Sequence, residues 1–112
     1  MTAHVLVPAL DPDYPATVSI VVLDDLRKRI GYEGVVITDD LAMQAISDTW
    51  SHPEASVRAL QAGADVVMLA AEPEHIDVSV TAVIRAVERG ELPRERVFEA
   101  YSRVVRAKET LK

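Results

Sequence analysis

Short apolar runs and helical stripes alternate along this chain with clusters of Gly, Pro, Asp and Ser. Val5-Leu6-Val7 is an apolar run that stops at Pro8, and Asp11-Pro12-Asp13-Tyr14-Pro15 follows, so a strand end entering a Pro-rich loop is expected. Ser19 then serves as the N-cap of a predicted helix, with Val22, Leu23, Leu26 and Ile30 on the period of about 3.6 residues. Asp24 and Asp25 fall early in it and Arg27, Lys28 and Arg29 late, in keeping with the helix dipole, and Gly31 is placed to end it. Val35-Val36-Ile37 is β-branched throughout, with no polar alternation, which predicts a strand covered on both faces as in a parallel sheet. It delivers Thr38-Asp39-Asp40 at its carboxyl end.

A second unit follows the same grammar. Ser51-His52-Pro53-Glu54 reads as a capping box with proline in the first turn, opening a helix of small residues that closes at Gly63. Asp65-Val66-Val67-Met68-Leu69 is the next buried strand. The interval from Val35 to Val66 suits one βαβ crossover, a connection that is nearly always right-handed, so the two strands are predicted to be parallel neighbours. After Pro73, residues Ile76, Val80, Val83, Ile84 and Val87 form one amphipathic stripe ending before Gly90. A last helix after Pro93 carries Val97, Tyr101, Val104, Val105 and Lys108 on one side and ends in basic residues.

Two complete strands and an N-terminal stub are too few for an independent parallel sheet, which helices normally bury on both faces. The α/β alternation without hairpins fits either a doubly wound sheet or a piece of a (β/α)8 barrel. Composition adds limits. Over 112 residues, 49% hydrophobic and 27% charged describe a chain that builds a modest core within one domain at most. Its 12 Lys+Arg against 18 Asp+Glu leave a net charge of −6, which opposes phosphate backbones, so nucleic acid is not an expected partner. No apolar run approaches the roughly 20 residues of a helical membrane span, and Met1-Thr2-Ala3-His4 does not read as a signal peptide. Without cysteine there are no disulfides, thiolate nucleophiles or the usual structural zinc sites.

In parallel α/β folds, active sites gather at the carboxyl ends of strands, which makes Thr38-Asp39-Asp40 the place to look for a catalytic carboxylate. Neighbours on an extended chain point opposite ways, so one of the two aspartates faces a site and the other caps the following turn or stays in solvent. Spacing alone does not say which. His4 is read as a packed or loop histidine in preference to a pocket-bordering one, and Met43 equally as a pocket wall or as core under the loop. His52 and His75, at helix starts, are expected in solvent, and Trp50, in the loop after the first strand, is expected to cover the end of the sheet in preference to stacking on a ligand. No spacing among the histidines suggests a metal site.

The segment Arg27 to Met43, RKRIGYEGVVITDDLAM, resembles the active-site signature of glycoside hydrolase family 3. Its Thr-Asp-Asp-Leu-x-Met ending is similar to the β-N-acetylhexosaminidase branch, whereas β-glucosidases of the family more often carry a tryptophan after the nucleophile. The opening MTAHVLVPALDPDYPATVS and the later QAGADVVML also resemble family segments, so the likeness covers nearly the whole chain. It departs from the family at Asp25-Leu26, where two apolar residues are usual. The resemblance implies the C-terminal part of a (β/α)8 barrel, about strands six to eight with their helices, over residues 1–112. It implies Asp39 as the nucleophile of a retaining mechanism, kept ionised by Thr38 and nearby amides, with His4, Asp40 and Met43 as candidate substrate contacts. The family's acid/base histidine and its Lys-His-Phe-Pro-Gly-His-Gly motif have no counterpart in these residues.

The implied substrate is a carbohydrate with a terminal β-linked N-acetylglucosamine, with neither cofactor nor metal. The alternatives are a β-glucosidase-type member, or a non-catalytic module whose exposed strand edge pairs with a copy of itself or with a missing N-terminal half. A Mg²⁺-dependent phosphoacceptor domain fits less well, since Leu69-Ala70-Ala71 offers no further acidic or lysine group at the second strand end. A cytoplasmic location is preferred, any signal peptide lying upstream of Met1.

Overall fold

A computed structural model describes residues 1–111. After a short 3-10 turn at Ala16–Val18, the chain forms α1 (Ile20–Lys28), β1 (Ile37–Asp40), α2 (Gln44–Ser47), α3 (His52–Ala62), β2 (Val66–Met68), α4 (Pro73–Glu88) and α5 (Arg94–Glu109). The strands pair in parallel, with Ile37 opposite Val66 and Asp40 opposite Met68. The parallel crossover expected from the sequence is therefore present, and two strands make up the sheet.

The first helix starts where its cap chemistry places it. Ser19 Oγ accepts from Val22 N at 3.1 Å and donates to Asp11 Oδ2 at 2.6 Å, which ties the Pro-rich loop to the helix. Asp24 and Asp25 lie past the first turn and form i,i+4 pairs with Lys28 and Arg29. Leu23 is buried, but the helix ends at Lys28, so Ile30 falls off the stripe and is 61% exposed. In α3, Ser51 Oγ accepts from Glu54 N, whereas the Glu54 carboxylate turns to Arg58, so only half of the expected capping box forms. The small residues Ala55, Ser56, Ala59 and Ala62 let this helix lie close to its neighbours. At Gly63, φ is +129° and an added Cβ would meet Leu23 Cβ at 3.3 Å, a close approach between α1 and the end of α3. Leu23, Val36, Leu41, Ile46, Ala55 and Ala59 form the core between the helices and the sheet.

Two expectations are corrected. Val5-Leu6-Val7 is not a strand: Val7 bridges Asp11 across a tight turn, Val5 O accepts from Ala16 N, and Val5 and Leu6 are exposed. The edge of β1 is met three residues earlier, where Thr2 N donates to Ile37 O at 2.8 Å, because Thr2 and His4 find a buried polar partner in Thr17. The α4 stripe is also displaced. Its buried positions are Ser79 and Ala86, while Ile76, Val80 and Ile84 are exposed around an apolar cleft of about 260 Å³ that Leu60, Val67 and Leu69 also line.

Candidate active site

The register along the sheet is irregular at its carboxyl end. Three steps in β1, from Ile37 to Asp40, face two in β2, from Val66 to Met68, so β1 carries an extra residue at Thr38-Asp39. Such a bulge breaks the ladder locally and re-aims a side chain. The fully buried Thr38 bridges the break: its Oγ1 accepts from Met68 N at 2.9 Å in place of a carbonyl. Leu41 N then donates to Met68 O at 3.0 Å and resumes the pairing.

Asp39 is half-buried at the crest of this bulge. Its Oδ1 accepts from Asp40 N at 2.8 Å, and the rest of the carboxylate has no protein partner among the described residues. The Thr38 hydroxyl faces β2, so the group that steadies the Asp39 anion is the following amide and not that hydroxyl. Asp40 lies differently. Its Oδ1 accepts from Ala70 N and from Ala42 N, each at 2.9 Å, stapling the loop after β1 to the loop after β2. The Ala70 amide, then the Ala42 amide, hold its carboxyl below the usual carboxylate range against a smaller effect of burial, with His4 and His52 adding to the lowering.

His4 is half-buried with both ring nitrogens engaged, Nδ1 with Thr17 Oγ1 and Nε2 with Asp40 O, each at 2.8 Å. Because a carbonyl only accepts, the proton on this side sits on Nε2. Met43 is 46% exposed at the N-cap of α2, and the core position beneath the loop belongs to Ile46. Trp50 stacks on Tyr14 with ring centroids 6.3 Å apart and takes the Arg58 guanidinium on a face. His52 and His75, expected in solvent, meet edge to face with centroids 5.2 Å apart. No group of three metal-ligating side chains converges among the described residues.

Two polar centres escaped the sequence reading. Thr17 is one. The other is Asp65 at the amino end of β2, opposite the candidate site, where its carboxylate takes Arg27 at 2.6 Å, Arg96 at 2.8 Å, Arg103 at 3.0 Å and Val36 N at 2.9 Å. Burial pushes this carboxyl up, but the Val36 amide and the three arginines outweigh it and hold it below the usual range. The signal was present in Gly-Ala-Asp before the strand and in arginines seven apart on the last helix, though the partners lie 31 to 38 residues away in sequence.

The family model for the glycosyl hydrolase family 3 N-terminal domain matches residues 1–107. The chain belongs to this family. Within the family, its sequence is 43% identical over 86 residues to a beta-hexosaminidase of Alkalilimnicola ehrlichii, covering 76% of this chain and 23% of that one. It is 36% identical to beta-hexosaminidase LpqI of Mycobacterium tuberculosis, over 96% of this chain and 29% of the relative. The structure of a glycoside hydrolase family 3 beta-N-acetylglucosaminidase from Paenibacillus sp. str. FPU-7 superposes with a TM-score of 0.94 at 40% identity, over 97% of this chain and 21% of that one. This family 3 chain thus spans about a quarter of the length of the curated relatives it matches.

Proposed function

We propose that this chain is the nucleophile-bearing part of a retaining family 3 β-N-acetylhexosaminidase, corresponding to about strands six to eight of a (β/α)8 barrel. The observation that carries the reading is Asp39: a half-buried carboxylate lifted by a bulge at the carboxyl end of a parallel strand, with one oxygen steadied by an amide and the other without a partner among the described residues. Relatives named beta-hexosaminidase and beta-N-acetylglucosaminidase support the substrate class, a terminal β-linked N-acetylglucosamine. In the reaction the ionised Asp39 attacks the anomeric carbon as the glycosidic C–O bond breaks, and the leaving oxygen takes a proton from an acid outside this chain. Water, losing a proton to the same group, then cleaves the glycosyl-aspartate ester and frees the carboxylate. Asp40 N stabilises the anion before attack, and the Asp40 carboxylate keeps the two flanking loops together.

The test joins residues 1–112 to the preceding part of a relative such as LpqI and follows the glycosyl-enzyme by mass spectrometry with a slow 2-fluoro substrate. Asp39→Ala is expected to abolish the adduct, and Asp40→Ala to lower turnover while leaving the adduct detectable. Sugar trapped on Asp40, or accumulating in Asp39→Ala, refutes the assignment. Residues 1–112 by themselves are expected to show no hydrolysis of aryl β-N-acetylglucosaminides above background, since general acid assistance alone is worth about 10²–10⁴-fold. Turnover by the pure chain that disappears in Asp39→Asn would contradict this.

A further inference from the structure

The N-terminal segment grips the bulge of β1 from the side away from β2. Thr2 N donates to Ile37 O, and His4 Nε2 donates to Asp40 O, both at 2.8 Å. Residues 2 and 4 are two positions apart while their partners 37 and 40 are three apart, the same mismatch that the register to Val66 and Met68 shows on the other side. On each flank a side chain bridges it. Thr38 Oγ1 stands in for a carbonyl toward Met68 N, and the His4 imidazole approaches Asp40 O from the N-terminal segment, adding a donor to the Met43 amide that the same oxygen accepts at 3.1 Å.

The imidazole is itself aimed. Its Nδ1 lies 2.8 Å from Thr17 Oγ1, and Thr17 is fully buried, with its hydroxyl also 2.9 Å from Thr2 Oγ1 and 3.1 Å from Ala3 O. The carbonyl that His4 holds and the amide that holds Asp39 belong to one residue, Asp40, on the two peptide planes that meet at its Cα. Holding the carbonyl restrains ψ at Asp40, one of the two torsions that set the amide plane against it, so loss of the bond loosens the seat of the Asp39 carboxylate.

We infer that His4 is a positioning residue for Asp39: its Nε2–H, aimed by Thr17, fixes the Asp40 backbone and through it the direction of the Asp39 carboxylate. This rests on the reading of Asp39 as nucleophile. The test uses the fusion described above with His4→Ala, His4→Gln, Thr17→Val and Asp39→Ala. Alanine removes the donor, whereas glutamine offers an amide N–H at a similar reach. His4→Ala is expected to lower kcat and the rate of glycosyl-enzyme formation about 10- to 100-fold, the scale of an ångström of misplacement, with KM nearly unchanged. His4→Gln is expected to recover most of that loss and Thr17→Val to fall between.

A parental rate in His4→Ala overturns the inference. So does an equal loss in His4→Ala and His4→Gln when both unfold cooperatively. Asp39→Ala separates the two claims: an adduct that persists there sinks the nucleophile assignment, whereas its loss there beside a parental His4→Ala sinks the role of His4 alone. The bond is also read without turnover, as a slowly exchanging Nε2 proton assigned by its disappearance in His4→Gln. Exchange as fast as that of a solvent-exposed imidazole overturns the inference.

Discussion

Removing the Asp65 carboxylate is expected to be the most damaging single polar substitution in this chain. Four donors converge on it, from Arg27, Arg96, Arg103 and the Val36 amide, and the side chain has no exposed surface, while the three arginines keep only 14–20% of theirs. Asp65→Ala takes the buried counter-charge from three partly buried guanidinium groups, leaving Arg96 and Arg103 only the exposed Glu99, and leaves one buried amide without its acceptor. Deleting one partner of such a buried pair costs about 3–5 kcal/mol. An exposed pair such as Asp24 with Lys28, 50% and 78% exposed, is worth at most about 1 kcal/mol. Against a total stability of about 5–15 kcal/mol, the first change takes a large share and the second passes nearly unnoticed. The assay is urea unfolding of the chain and of Asp65→Ala, Asp65→Asn and Asp24→Ala, followed by far-UV circular dichroism at one protein concentration. Midpoint shifts of equal size for Asp65→Ala and Asp24→Ala would refute the reasoning.

Acid should weaken the fold in part through Asp65. Its carboxyl is more acidic folded than unfolded, so its contribution is complete above the unfolded value of about 3.9 and is lost as pH falls below that through the folded value. Urea midpoints measured from pH 7 downward are expected to drop steeply only in that lower range, less so in Asp65→Asn, and a midpoint that rises on acidification would contradict this. Residues 1–112 alone are expected to self-associate through the exposed apolar face of Ile76, Val80 and Ile84, since apolar surface covered is worth about 25 cal/mol per Å². Sedimentation should show mass rising with concentration and a shift toward monomer in Val80→Lys with Ile84→Lys; a concentration-independent monomer in the parent chain would argue against it.

The elements that could be read in advance are those whose determinants are local. Ser19 and Ser51 cap α1 and α3 through their own third neighbours, and the positive φ of Gly63 follows from a helix that must stop. What failed was burial, which depends on partners distant in sequence. The apolar period of α4 is real, yet its stripe lines an open cleft, because the helix approaches α3 through the smaller Ser79 and Ala86. Val5-Leu6-Val7 has strand composition, but composition carries no information that Thr17 would hold Thr2 and His4 and set the edge three residues earlier.

The same division runs through the candidate site. That a carboxylate stands at the end of β1 follows from an apolar β-branched run ending in Thr-Asp-Asp, and alternation says that the two aspartates part company. The direction each takes is set by the bulge, and nothing periodic in the sequence announces it. A bulge adds one residue without changing composition, and here it is held by groups 13 to 36 residues apart: Thr38 with Met68, His4 with Thr17 and Asp40. Thr38 takes the place of a main-chain acceptor, and His4 adds a side-chain donor beside the Met43 amide on Asp40 O. Restoring an even register would return Thr38 and Asp39 to ordinary alternation and change the direction of the Asp39 side chain relative to the loops that flank it. On the proposed reading of Asp39 as nucleophile, its geometry depends on the mismatch, and substitutions that relax the mismatch from either flank should converge on the same defect in glycosyl transfer to Asp39.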